Sequence, residues 1–132
     1  MKKKELLDGY EEWLSRFKWS WFGTLTFRRR DIPPWMADRA FWDWVVAIDN
    51  EDGSDDFRWV RVTEHGAFGD NLHFHVLVGG LKNGSKWPWI VRWQELAGDA
   101  VLSYYFLRSR SAIRYLVKTA QPDCDFEIKF DL

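Results

Sequence analysis

A single cysteine, Cys124, serves the whole chain, which excludes an intrachain disulfide and any cysteine-rich zinc site. No apolar run approaches the ~20 residues of a membrane span, and no secretory leader is visible. Together these absences predict a soluble protein of a reducing, cytoplasmic compartment. No glycine-rich nucleotide-binding loop is present, and neither is an internal repeat, a linker or a low-complexity tract. The formal net charge is −1, which argues against a protein that coats nucleic acid non-specifically. At 132 residues the chain predicts one domain, 1–132, with a real core and no room for a second unit such as a helicase.

Aromatic residues are abundant instead, with ten Trp and ten Phe. Two readings are open: a small core filled by few, large side chains, or exposed platforms on which nucleobases stack. Basic residues cluster at Lys2 to Lys4, at Arg28, Arg29 and Arg30, and at Arg108, Arg110, Arg114 and Lys118. The acidic excess lies in Asp49 to Asp56 and the C-terminal segment.

Leu6, Leu7, Tyr10, Trp13, Leu14 and Phe17 recur at helical spacing and predict an amphipathic helix over Lys4 to Phe17. Trp19 to Arg28 reads as a strand, and Asp31 to Pro34 as a stop. Trp35 to Ile48 reads as a helix with a broad aromatic face, followed by an acidic loop from Asp49 to Asp56. Two strands, Arg58 to Glu64 and Asn71 to Val78, flank a glycine-punctuated turn. A helix over Trp87 to Leu96, a strand over Val101 to Leu107, a helix from Ala112 capped by Ser111, and a last strand over Phe126 to Phe130 complete the order. The predicted class is α+β, one largely antiparallel central sheet of about five strands flanked by helices, ferredoxin-like or RNA-recognition-like.

Chemistry gathers on the central strands. Side chains alternate across a strand, so His73 and His75 share one face, and Phe74, Val76 and Val78 take the other. A hairpin whose paired residue numbers sum to 137 sets Glu64 opposite His73, close enough to share one ion; a bulge in the turn would shift that register by one. His65 then points to the opposite face and reads as a turn or surface residue. In the helix after Ser111, the residues Ile113, Leu116, Val117 and Ala120 form the apolar stripe, while Tyr115, Lys118 and Thr119 fall largely on another face. Tyr104 and Tyr105 read as strand residues, one on each face of the sheet.

Phe22-Gly-Thr-Leu-Thr-Phe27, then His73-Phe-His75, then Tyr115-Leu-Val-Lys118 resemble the three ordered motifs of HUH endonucleases, and within them those of rolling-circle replication initiators (Rep proteins) of plasmids and small viruses. The resemblance runs from about Trp21 to Lys118. It implies a central antiparallel sheet flanked by helices, with His73 and His75 as ligands of Mn²⁺ or Mg²⁺. Glu64 falls at the acidic third-ligand position, which the family fills variably. Tyr115 matches the nucleophile of a single-tyrosine enzyme, with Lys118 beside it, and Thr24 and Thr26 match the strand motif that places DNA. Arg28, Arg29 and Arg30 are either a solvated run or a grip on DNA phosphates, and Arg114 joins them as a candidate DNA contact.

The implied reaction is sequence-selective nicking and joining of single-stranded DNA through a 5′-phosphotyrosine intermediate. The implied partners are an origin stem-loop or exposed strand, a host helicase and a host polymerase, with the protein a monomer off the membrane. The chain is then a minimal initiator or the catalytic domain of a longer one. Two rivals stand beside this reading: a single-tyrosine HUH transposase, and a non-catalytic module that binds single-stranded nucleic acid on sheet aromatics.

Overall fold

The computed structural model describes residues 3–65, 71–105, 111–119 and 126–131; among these, the side chains at positions 3, 4, 6, 7, 115, 117–119 and 126–130 lie outside the described set. Among the described residues nine elements follow one another: α1 (Lys3–Ser15), β1 (Trp21–Leu25), α2 (Pro34–Asp52), β2 (Arg58–Glu64), β3 (His73–Gly79), α3 (Trp87–Leu96), β4 (Ala100–Tyr104), α4 (Ser111–Thr119) and β5 (Phe126–Asp131). The strands form one antiparallel sheet in the order β4-β1-β3-β2-β5. The stretch from β1 to β4 is a βαββαβ unit of ferredoxin-like order, with β5 added beside β2. This is the α+β class that the sequence predicts. The predicted Val101 to Leu107 strand is found as Ala100–Tyr104; Tyr105 lies past its end, and positions 106 and 107 are outside the described residues.

Strand alternation sends two sets of side chains to two cores. On one face, Trp21, Leu25, Trp59, Phe74, Val76, Val78 and Leu102 pack against Phe41, Trp44 and Ile48 of α2 and Trp89 and Trp93 of α3. On the other, Val60, Val62 and Leu77 pack against Leu14 of α1 and Ile113 and Leu116 of α4. The first core is held by edge-on ring contacts: Phe41 meets Trp59 with centroids 4.9 Å apart, and Trp44 meets Trp93 at 5.7 Å. Two indoles are also satisfied, because Trp44 Nε1 donates to the Trp89 carbonyl and Trp93 Nε1 to the Thr26 carbonyl, each at 2.9 Å. Of the ten tryptophans six are buried, while Trp35, Trp42 and Trp87 are exposed. The aromatic load therefore serves mainly as core, and the sheet's own Trp21 and Trp59 are covered by helices.

The predicted acidic loop is corrected by the structure. α2 runs on through Asp49 to Asp52 and ends at Gly53, whose φ of +66° gives the left-handed C-cap, with its N–H donating to the Asp49 carbonyl. Carboxylates in a last turn oppose the helix dipole, which is why the sequence reads as a loop. Tertiary partners offset that cost. Glu51 pairs with Arg92 of α3 at 2.6 Å, and Asp52 accepts the backbone N–H groups of Lys82 and Asn83 at 2.8 and 2.9 Å.

Gly80, just past β3, has φ +73°, and a Cβ there would lie 1.8 Å from the Asp56 carbonyl oxygen. Gly80→Ala is expected to destabilise the fold by about 3 kcal/mol, combining left-handed strain with a backbone clash. Gly84, around which a Cβ would meet nothing within 4 Å, is the control; urea unfolding of Gly84→Ala should stay within about 0.5 kcal/mol of the parent.

Candidate metal centre

The β2–β3 register is the one expected: Arg58 pairs with Gly79 and Glu64 with His73, with no bulge between them. Val62 and Thr24 flank His75 on either side, from β2 and β1. Glu64, His73, His75 and Thr24 therefore share the α1/α4 face, at the end of the sheet where β3 begins.

Glu64 Oε2 lies 3.0 Å from His73 Nε2 and 2.8 Å from His75 Nε2. One ligand atom from each of the three residues falls within 4.8 Å of the others. His75 is buried, and His73 and Glu64 are half-buried. The rings stand nearly perpendicular, with centroids 5.0 Å apart, so both Nε2 atoms reach one point without the imidazoles stacking.

The far side of each ring is also held. His73 Nδ1 lies 3.0 Å from the Asn71 carbonyl, and a carbonyl can only accept, so Nδ1 carries the proton and Nε2 is left as the ligand atom of the neutral ring. Asn71 adopts φ +53°, a left-handed conformation that asparagine tolerates better than most residues. His75 Nδ1 is 3.2 Å from the Thr24 hydroxyl. That hydroxyl can accept from Nδ1–H, freeing Nε2 for a cation, or donate to Nδ1 when Nε2–H turns to Glu64. Outer partners of this kind fix the tautomer and orientation of metal-binding histidines.

Electrostatics point the same way. Burial holds His75 below the ordinary imidazole value; the Glu64 hydrogen bond opposes this, and the neighbouring His73 reinforces it. Burial alone would raise Glu64, but the hydrogen bonds and charges of His75 and His73 outweigh it and hold the carboxyl below its ordinary value. Both shifts favour the deprotonated forms of His75 and Glu64 that a divalent cation requires. The donor set fits such an ion, and the three residues can hold one.

The other expected site residues are distributed around this centre. Thr24 is part of it, as the partner of His75. Thr26 lies one residue beyond β1 and is exposed; its hydroxyl donates to the Asp99 carbonyl at 3.3 Å. Arg28 donates to the Gln94 carbonyl and Arg29 pairs with Asp31 at 3.0 Å. The Arg30 carbonyl accepts the Asn71 N–H at 3.1 Å, which ties the basic run to the turn that orients His73. Arg114 leans the other way, to Glu11 of α1 at 2.8 Å. Tyr115 and Lys118 belong to α4, which packs on β2 and β3, and their side chains lie outside the described residues. A cleft of about 140 Å³ opens beside His75, lined by Phe22, Thr24, Ser103, Ala112 and Leu116. His65 lies on the opposite face, as alternation predicts.

Sequence reasoning missed Asn71 and the bond from Thr24 to His75. An Asp-Asn pair before a strand is a turn signal that would have flagged Asn71. The Thr24 contact depends on β1 lying beside β3, which no local pattern reveals. Thr24→Val removes the His75 partner while keeping shape. Metal affinity measured by isothermal titration should then fall by about 10–100-fold with the fold unchanged.

No family model, curated protein or solved structure matches this chain. Among the described residues, no helix is long and apolar enough to cross a membrane.

Proposed function

We propose that this protein is a metal-dependent single-stranded DNA nickase and strand-joining enzyme of the HUH type, acting at the origin of a rolling-circle replicon. The observation that supports this best is the convergence of Glu64, His73 and His75 on the sheet face over which α4, the helix of Tyr115 and Lys118, is packed. A Tyr-x-x-Lys segment on the element roofing a Glu/His/His group supplies a nucleophile and a metal site on one face, which suits tyrosine-mediated phosphodiester transfer.

In this reading Glu64, His73 and His75 hold a divalent cation, Mn²⁺ in preference to Mg²⁺ because two imidazoles suit the softer ion. When bound, that ion polarises the scissile phosphate and offsets its charge. Tyr115 Oη attacks the phosphorus; the new bond is Tyr O–P and the bond broken is P–O3′. The phenolic proton is balanced by protonation of the released 3′-oxygen, leaving a 5′-phosphotyrosine and a free 3′-hydroxyl that primes synthesis by a host polymerase. Reversal rejoins strands. A free tyrosine has a pKa near ~10, so Lys118, one helical turn on, serves to stabilise phenolate or hold the phosphate. Arg28, Arg29 and Arg30 grip the incoming strand's phosphates, and a host helicase unwinds ahead of the new end.

The test is covalent capture. A pool of single-stranded oligonucleotides with Mn²⁺ should yield a protein band shifted by DNA on a denaturing gel, lost in both Tyr115→Phe and His73→Ala. Metal-independent binding with no covalent product from any oligonucleotide would overturn the reading.

A further inference from the structure

The side of α2 turned away from the core carries large apolar residues. Trp35, Arg39, Trp42, Val46 and Asp49 follow one another at steps of four and three, which sets them in one stripe along the helix. The buried residues of α2, among them Phe41, Trp44 and Ile48, occupy the opposite side. Trp35 is 64% exposed, Val46 50% and Trp42 44%, although Trp42 also meets Trp59 edge-on at 5.5 Å.

Two features of this stripe are unexplained by the chain's own packing. Trp35, Trp42 and Val46 leave on the order of 400 Å² of apolar surface on one helix side, and patches of that size mark interaction sites. The second feature is Asp49, an exposed carboxylate in the last turn of α2, where it opposes the helix dipole. Glu51 and Asp52 of the same turn are offset by Arg92 and by the N–H groups of Lys82 and Asn83. The Asp49 carboxylate has no ion pair or hydrogen bond among the described residues, and neither has the Arg39 guanidinium.

One occupant answers both features, because the stripe is complementary to itself. Its cation lies towards the N-terminus of α2 and its anion towards the C-terminus. A second copy laid parallel would set like charges side by side; laid antiparallel, it sets opposite charges together. With a two-fold axis midway between Trp42 and Val46, Trp42 meets the second copy's Val46 and Arg39 meets its Asp49, since both pairs are centred on position 44. The two-fold repeats each contact. The apolar stripe alone supplies about half of the ~800 Å² that each partner gives to a standard interface, so with its polar rim it suits a dimer of micromolar strength.

From this geometry we infer that two copies of this chain associate through α2, antiparallel about a two-fold axis, with Trp42 and Val46 at the centre and Arg39–Asp49 pairs at the rim. Such a pair takes the place of the monomer that the resemblance implies. α2 packs on the sheet face opposite the one that bears Glu64, His73 and His75. Association therefore leaves both metal centres uncovered, on the outer sides of the pair. The inference does not rest on the proposed nickase, and its test is run without metal or DNA.

Sedimentation equilibrium of the full chain in EDTA should show a mass rising from that of one chain to that of two across the micromolar range. Val46→Glu, at a half-exposed position, should weaken association at least about tenfold. Arg39→Glu should do the same by setting like charges together at the rim, and the double variant Arg39→Glu/Asp49→Arg should recover the parent's affinity to within about threefold. Trp87→Ala, at a ring of α3 that is 62% exposed and off the stripe, should associate like the parent. Circular dichroism checks that each variant is folded, and the charge exchange tests the register without touching a packed side chain. A parent that stays monomeric at its highest soluble concentration, a folded Val46→Glu that associates like the parent, or a charge exchange that fails to restore association overturns the inference, whatever becomes of the nickase.

Discussion

Tyr115→Phe is expected to abolish the covalent protein–DNA product while leaving the fold and the binding of single strands intact. The substitution removes one oxygen, and with it the only atom proposed to form the bond to phosphorus. Loss of a nucleophile removes the covalent route entirely, so capture should drop by more than about 10³-fold, to the detection limit of the gel. Lys118→Met should leave a product that forms more slowly, by about 10²-fold, and more so near neutral pH than at alkaline pH, where less help is needed to ionise the phenol. The pairing of variants is informative. A shifted band that persists in Tyr115→Phe would place the nucleophile elsewhere, with Tyr104 or Tyr105 the next residues to replace. Tyr104 sits on β4, half exposed at the sheet edge against Lys86, and Tyr105 meets Phe22 edge-on at 6.4 Å. Both rings are engaged in packing.

Much of the fold was legible because its signals are local. The polar–apolar alternation from Asn71 to Val78 and the short connection after Glu64 together set a register in which Glu64 faces His73, and that is the register found. Pro88 in the first turn and apolar spacing placed α3 at its observed bounds. What was hidden depends on partners distant in sequence. The last turn of α2 was unreadable, since its carboxylates are stabilised by Arg92 and by the backbone at Lys82 and Asn83, some thirty to forty residues away. Nor did any pattern show that α1 and α4 cover the face bearing the histidines, because amphipathic helices state that they bury a stripe and not against which strand.

The candidate site divides along the same line. His73, His75 and Glu64 come from one hairpin, where alternation and pairing suffice to bring them together. Thr24 was singled out as a DNA-placing residue, yet its hydroxyl meets His75 Nδ1 across the β1–β3 pairing, which gives it a positioning role toward the imidazole. Asn71, a turn residue by type, orients His73 through a main-chain carbonyl that no side-chain motif can encode. A motif therefore names the atoms that touch an ion more readily than those that aim them. That is a reason to test both kinds of residue rather than the ligands alone.

Divalent metal should stabilise the folded protein, and His75→Ala should erase that effect. An ion that binds only the folded chain adds about 2.7 kcal/mol when present at one hundred times its dissociation constant, which for a domain of this size raises the melting temperature by roughly 10 °C. Mn²⁺ should give the larger rise and EDTA should reverse it. In His75→Ala the rise should fall to within about 2 °C, because a buried ligand and its Thr24 support are both lost. Acid should act in the same direction by a separate route. The folded state holds His75 and Glu64 below their ordinary pKa values, so the unfolded chain binds protons first as pH falls. The stability they contribute is full above about pH 6.5, declines as pH drops below the ordinary imidazole value, and declines again below the ordinary carboxylate value near ~4.3. Metal binding needs the same two groups deprotonated, so the Mn²⁺-induced rise should shrink over that range as well. Melting curves with and without Mn²⁺ between pH 8 and pH 4.5 separate the two effects. A Mn²⁺ rise that is constant with pH, or that survives in His75→Ala, would remove Glu64, His73 and His75 from consideration as the metal centre.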